Sequence, residues 1–124
     1  MKKSPIFLIL ILFALFINSC KYDFILAKEV PPITGPVSFS TQVEPIFTTD
    51  KCIDCHNNGG QSPNLTTGSA YAQIVPGLIN ATTPESSIIY SFPAPTTTTH
   101  TWKKYSAADA AIVLAWIKDG AKNN

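Results

Sequence analysis

Apolar positions fall into separated patches along the chain, divided by stretches rich in proline, threonine and glycine. The first patch, Ile6 to Ile17, is an unbroken apolar run directly behind Lys2 and Lys3. A membrane span needs about 20 such residues and the apolar part of an export signal only about 7–15, so the run predicts an export leader. Further on, Thr41 and Glu44 stand at capping-box spacing ahead of Ile46 and Phe47, and Pro45 is tolerated in a first turn. That predicts a helix over about 41–50. Ser69 to Val75, carrying Tyr71 and Ile74, predicts a short helix, and Ser86 to Tyr90 another turn. The last patch is the clearest. Ser106 is a good N-cap, Asp109 follows three positions on, and Gly120 supplies the stop. Between them Ala108, Ile112, Ala115 and Trp116 make one apolar stripe, with Leu114 and Ile117 in a second beside it. A helix apolar over most of its circumference is expected to be largely buried. No stretch alternates as a strand does, so the expected fold is all-α.

The sequence has 124 residues with 9 basic and 8 acidic side chains, a formal net charge of +1. That is room for one small domain, and the balance gives no basic face, so nucleic acid is not an expected partner. Ten prolines and 14% charged residues point to a loop-rich fold, while 45% apolar residues are enough to form a core. The leader ends Ile17-Asn18-Ser19-Cys20, which resembles the lipobox of bacterial lipoproteins despite Asn18 and an isoleucine at position 17. The resemblance implies a signal peptide over 1–19, a lipid on Cys20 and a membrane anchor there; a plain leader or an uncleaved short anchor is the alternative. Residues 20–36 read as a tether, having mixed polarity and no clean period. Both readings of the leader place the domain outside the cytoplasm, in the cell envelope. The folded domain is expected over 37–124, small enough to need a staple.

The chemistry-bearing motif is Cys52-Ile53-Asp54-Cys55-His56. C-x-x-C-H is the attachment sequence of c-type haem. On a helical turn, positions i, i+3 and i+4 share a face, so two thiols reach the two vinyl groups while His56 reaches the iron. The cysteine count closes as well: Cys20 takes lipid, Cys52 and Cys55 take one haem, and none is left over. Three other readings of these residues compete. A Cys52–Cys55 disulfide or thioredoxin-like pair asks for a βαβ pattern, which is absent. A zinc site finds His100 as its only other histidine, and His56 directly after Cys55 has difficulty completing a tetrahedron. Chance spacing is the third.

Residues 39 to 121 resemble a small monohaem class I c-type cytochrome, with a helix before C-x-x-C-H, a proline-bearing loop after it and a closing C-terminal helix. The resemblance implies N- and C-terminal helices packed around covalent haem, and a Pro63 carbonyl that orients His56. The chain departs from the family on the far side of the iron. Its only methionine is Met1, which leaves with the leader, so methionine ligation is excluded for the mature protein. His100 is the only histidine besides His56 and lies 44 positions after it, in the loop from Pro93, where a distal ligand belongs. His/His iron is therefore expected, with the metal held by His56 and His100; water, hydroxide or Lys103 are the competing ligands. The expected function is one-electron transfer with redox partner proteins of the envelope, not enzymatic catalysis. An open iron would instead make a gas or peroxide sensor, and a fixed partner would make the chain the haem subunit of an envelope oxidoreductase. The chain contains no arginine, the residue that commonly assists peroxide cleavage, which lowers the peroxidase reading.

Overall fold

Ser38, not Thr41, begins the first helical segment of the computed structural model, which describes residues 30 and 32–124. The expected leader over 1–19, the lipid-bearing Cys20 and most of the tether over 20–36 lie outside the described residues. Ser38 Oγ accepts from the Thr41 amide at 3.4 Å. A π-helical turn, Phe39–Val43, then runs straight into α1, Glu44–Thr49. The capping box expected of Thr41 and Glu44 is not made. Glu44 reaches across to accept the Gly68 amide at 2.8 Å, tying α1 to the loop before the next helix. Pro45 occupies the first turn of α1, where its missing N–H costs no intrahelical bond.

The remaining elements are a 3₁₀ turn at Cys52–Asp54, α2 at Ala70–Ile74, a 3₁₀ turn at Pro84–Ser86, α3 at Ile88–Ser91 and α4 at Ala107–Lys118. Among the described residues there is no strand, and the fold is all-α with long irregular connections. No helix among those residues is long and apolar enough to cross a membrane.

Helix α4 has the ends its sequence asks for. Ser106 Oγ accepts from the Asp109 amide at 3.1 Å. At the other end Gly120 takes φ +95°, its amide bonding Ile117 O at 3.0 Å while the Ala121 amide bonds Trp116 O at 2.9 Å. This is the Schellman pair, and the left-handed position falls on glycine because a Cβ is disfavoured there. The inward face differs from the expected stripes. Ala110, Val113, Trp116 and Ile117 are buried, while Ala108 is exposed and Ile112 and Ala115 are only half-buried. A helix apolar nearly all round gives no direction of its own; its neighbours choose the face. Ala108 and Ile112 instead line a shallow groove with Pro32 and Ile33.

Trp116 is the centre of the core. It is fully buried, its ring 5.2 Å from Phe39 and 6.4 Å from Tyr71, and its indole N–H donates to Lys122 O at 2.9 Å. Tyr71 in turn donates to Ala121 O at 3.0 Å. The start of the first helical segment and Asn124 clasp at the same place: the Phe39 amide donates to Asn124 Oδ1 at 2.8 Å and the Ser40 amide to Asn124 O at 2.9 Å. The first helical segment is thereby closed onto α4. One flank remains for the segment between Cys52 and His56, which lies beside α3 and the loop after it.

Candidate functional site: a cleft between two histidines

Lys51 sets up the motif by leaving α1 in the left-handed region, φ 57°, which turns the chain into the Cys52–Asp54 turn. The Cys55 and His56 amides both bond Cys52 O, at 3.2 and 2.9 Å. One tight turn therefore carries Cys52, Cys55 and His56. Asn57 locks it from below, its side-chain amide donating to Ile53 O at 3.0 Å and Asp54 O at 3.3 Å. The following loop folds back on the motif, with the Gln61 amide on Cys55 O and the Leu65 amide on His56 O, each at 2.8 Å. Gly60 makes that approach possible, since a Cβ there would lie 2.3 Å from Cys55 O.

The folded-back loop orients His56. Its Nδ1 faces Pro63 O at 3.1 Å and Gln61 O at 3.2 Å. A carbonyl only accepts, so Nδ1 carries a proton, and in the neutral ring Nε2 keeps its lone pair. His100 is built the same way on the opposite side. Its Nδ1 donates to Lys103 O at 2.6 Å, so that in the neutral ring Nε2 again carries the lone pair. The loop holding it is braced by the Tyr105 amide on Pro93 O at 3.0 Å, the Thr97 amide on Ala94 O at 3.0 Å, and the Lys104 ammonium on Thr97 O. Lys104 thus ties the loop to itself.

The two imidazoles face a common cleft, with ring centroids 6.2 Å apart and planes 22° from parallel. Its inner wall is apolar, made by Leu65, Leu78, Ile89 and Phe92, with buried Tyr105 donating to Ile89 O at 2.9 Å. An adjoining cavity of about 330 Å³ opens past Cys55, Gln61 and Trp102, and Cys52, His56 and His100 line both. The geometry can be tested against one metal ion held from two sides. Bonds of about 2.0 Å and about 1.15 Å from nitrogen to ring centre would put two such centroids roughly 6.3 Å apart. The observed spacing, the two free Nε2 atoms, the apolar walls and two free thiols at one edge fit a covalently held haem.

No family model, curated protein or solved structure matches the chain.

Cys52 and Cys55 are not bonded to each other, the first buried and the second exposed. Burial, reinforced by the Asp50 charge, pushes the Cys52 thiol up to about 11. The strand pattern expected around a redox-active pair is missing among the described residues. The zinc alternative meets its own difficulty: no three His, Cys, Asp or Glu side chains converge as a metal set among those residues.

The structure thus brings Cys52, Cys55, His56, Pro63 and His100 to one cleft; Cys20 lies outside the described residues. Two site residues, Gln61 and Phe92, had not been singled out from the sequence, and Lys103 had been weighed only as an iron ligand. Gln61 shares the His56 proton with Pro63, Lys103 supplies a main-chain acceptor, and Phe92 packs on His100 with centroids 5.3 Å apart. Main-chain acceptors leave no mark in residue type. Phe92 did leave one: it is a large apolar residue immediately before the Pro93 loop.

Proposed function

We propose that this protein is a monohaem c-type electron carrier of the cell envelope, with Cys52 and Cys55 bonded to the haem and His56 and His100 on the two faces of its iron. The observation that carries the reading is the pair of facing imidazoles, 6.2 Å apart, each with Nδ1 donating to a main-chain carbonyl. Bound haem supplies an iron that gains and loses one electron. The chain's own residues set the conditions. Pro63, Gln61 and Lys103 carbonyls pull on the imidazole protons and make both ligands more basic, which favours the ferric state. Replacing methionine sulfur by a second imidazole acts in the same direction, so the potential lies below that of His/Met cytochromes. With both faces taken, no coordination position is left for a substrate, and the fitting role is electron exchange with a partner protein at the open side near Cys55. The export leader would carry the domain out of the cytoplasm, and the lipid on Cys20 would hold it at a membrane of the envelope.

The test is expression of the chain with c-type maturation machinery, followed by ferric and ferrous visible spectra with and without carbon monoxide. Covalent haem, low-spin in both states and indifferent to carbon monoxide, is the expected result. A high-spin spectrum that shifts with carbon monoxide would replace this reading by the open-iron sensor, and absence of covalent haem would end it.

A further inference from the structure

The two imidazole planes lie 22° from parallel, although they stand on separate loops 44 positions apart. Something must hold the second ring's rotation. His56 is fixed by two carbonyls, Pro63 O and Gln61 O, which clamp its Nδ1 from within its own loop. His100 has one, Lys103 O at 2.6 Å. A single hydrogen bond fixes where Nδ1 points and leaves the ring free to turn about that line. The ring also meets Phe92, in an edge-to-face contact with centroids 5.3 Å apart and planes at 64°. Such contacts are directional, because the positive edge of one ring meets the negative face of the other. Phe92 stands just outside α3, with its amide bonded to Ile88 O at 3.1 Å, so its backbone is anchored independently of the His100 loop. It is also 50% exposed, an unusual position for a phenylalanine whose only task is filling a core.

We infer that Phe92 is a positioning residue, acting through His100, that sets the rotation of the second imidazole and keeps the two ligand planes near parallel. The inference deepens the proposed His56/His100 ligation and rests on it. Its consequence is electronic. Parallel imidazoles direct their π-orbitals at the same iron d orbital and split the d levels strongly; crossed imidazoles address different orbitals and leave the levels close together. The ferric low-spin electron paramagnetic resonance spectrum reads this splitting directly. It does not depend on a redox partner or on turnover.

The experiment compares the haem-loaded chain with its Phe92→Ala, Phe92→Tyr and His100→Ala variants by frozen-solution electron paramagnetic resonance and visible spectroscopy. The parent is expected to give a well-resolved rhombic low-spin signal. Phe92→Ala should stay low-spin and insensitive to carbon monoxide, yet lose that signal wholly or in part to the broad, low-field feature of crossed planes. Phe92→Tyr keeps the ring and should restore the rhombic signal. If Phe92→Ala retains the parent's rhombic signal, the positioning role is overturned while the ligation stands. If the parent is high-spin, or His100→Ala stays low-spin with the parent's signal, His100 is not the ligand and both readings fall. Because half of the Phe92 surface is already exposed, its removal leaves the buried core intact.

Discussion

Adding one methyl group at Gly60 tests how the fold holds the site. A Cβ there would stand 2.3 Å from Cys55 O and 3.0 Å from Asn57 Oδ1. The near atom is main chain, so no flexible side chain can step aside. Ordinary contact between such atoms begins near about 3.5 Å, so the loop must open by roughly 1 Å. The Gln61 amide bonds that same Cys55 carbonyl at 2.8 Å, and the Gly60 amide bonds Asn57 O at 3.0 Å. A shift of that size takes the first beyond hydrogen-bonding distance and weakens the second, at about 1 kcal/mol each. Some strain is left in the loop that carries Gln61 O and Pro63 O to His56. Against this, alanine restricts the unfolded chain and returns about 0.4–1 kcal/mol. The net expected loss for Gly60→Ala is roughly 2 kcal/mol, or about 2 M in urea midpoint at a slope near 1 kcal/mol per M. Two other glycines serve as controls. Gly77 has nothing within 4 Å and no positive φ, so Gly77→Ala should be neutral or stabilising by up to about 1 kcal/mol. Gly59 has equally open space but φ +87°, so Gly59→Ala should cost about 1 kcal/mol from backbone strain alone. Equilibrium urea unfolding followed by far-UV circular dichroism ranks the three. A Gly60→Ala midpoint equal to that of Gly77→Ala would refute the close-approach argument.

Three further outcomes follow from single contacts. Trp116→Phe removes the indole bond to Lys122 O and part of a fully buried ring, and should cost about 2 kcal/mol, seen as a fall in Tm of roughly 10 °C. Asn124→Ala removes the acceptor of the Phe39 amide but keeps the main-chain acceptor of Ser40, so hydrogen exchange should quicken at Phe39 more than at Ser40, with about 1 kcal/mol of stability lost. Asp50 has its carboxylate pKa raised by burial and by the Asp109 charge, and one of its oxygens is buried without a partner. A raised carboxylate pKa means the folded state binds the proton more tightly than the unfolded state. Stability from this group is therefore present below the unfolded value and lost as pH rises through the folded one. Asp50→Asn should stabilise the chain at neutral pH and lose that advantage at acid pH, as denaturant titrations at the two pH values would show.

Helix ends were the most legible part of the sequence, because a cap is a local arrangement of particular residue types. Ser106 and Gly120 act as expected, since each needs only neighbours within a few positions. Thr41 and Glu44 had the same kind of signal and did something else. Ser38 took the cap three residues earlier, and Glu44 found a better partner 24 positions away in the Gly68 amide. A capping box is a weak local preference, worth about 1 kcal/mol, and one long-range charge-assisted hydrogen bond can override it. The inward face of α4 was illegible for a different reason. With apolar residues on nearly every side, the period carries no direction, and Phe39 and Tyr71 decide which face is covered.

The site divides along the same line. His56 and His100 are each braced by carbonyls within seven positions of themselves, Pro63 and Gln61 for the first and Lys103 for the second. Local bracing of that kind keeps company with readable motifs: C-x-x-C-H on one side, and on the other a lone histidine in a loop of prolines and threonines. What lies between the imidazoles is not local. Leu65, Leu78 and Ile89 come from different connections and helices, and any of them reads from sequence as an ordinary core residue. Their arrangement leaves an apolar cleft open where a chain of this size would otherwise close its core. A small domain gains stability by filling such a space, and the haem of the proposed function would do so from two free thiols at one edge and an imidazole on each side. Folding and loading should accordingly be coupled: the chain matured without haem should melt at lower temperature and lose hydrogen-exchange protection first around Leu78, Ile89 and Tyr105. Protection at Val113 and Trp116, on the far side of the core, should persist longest.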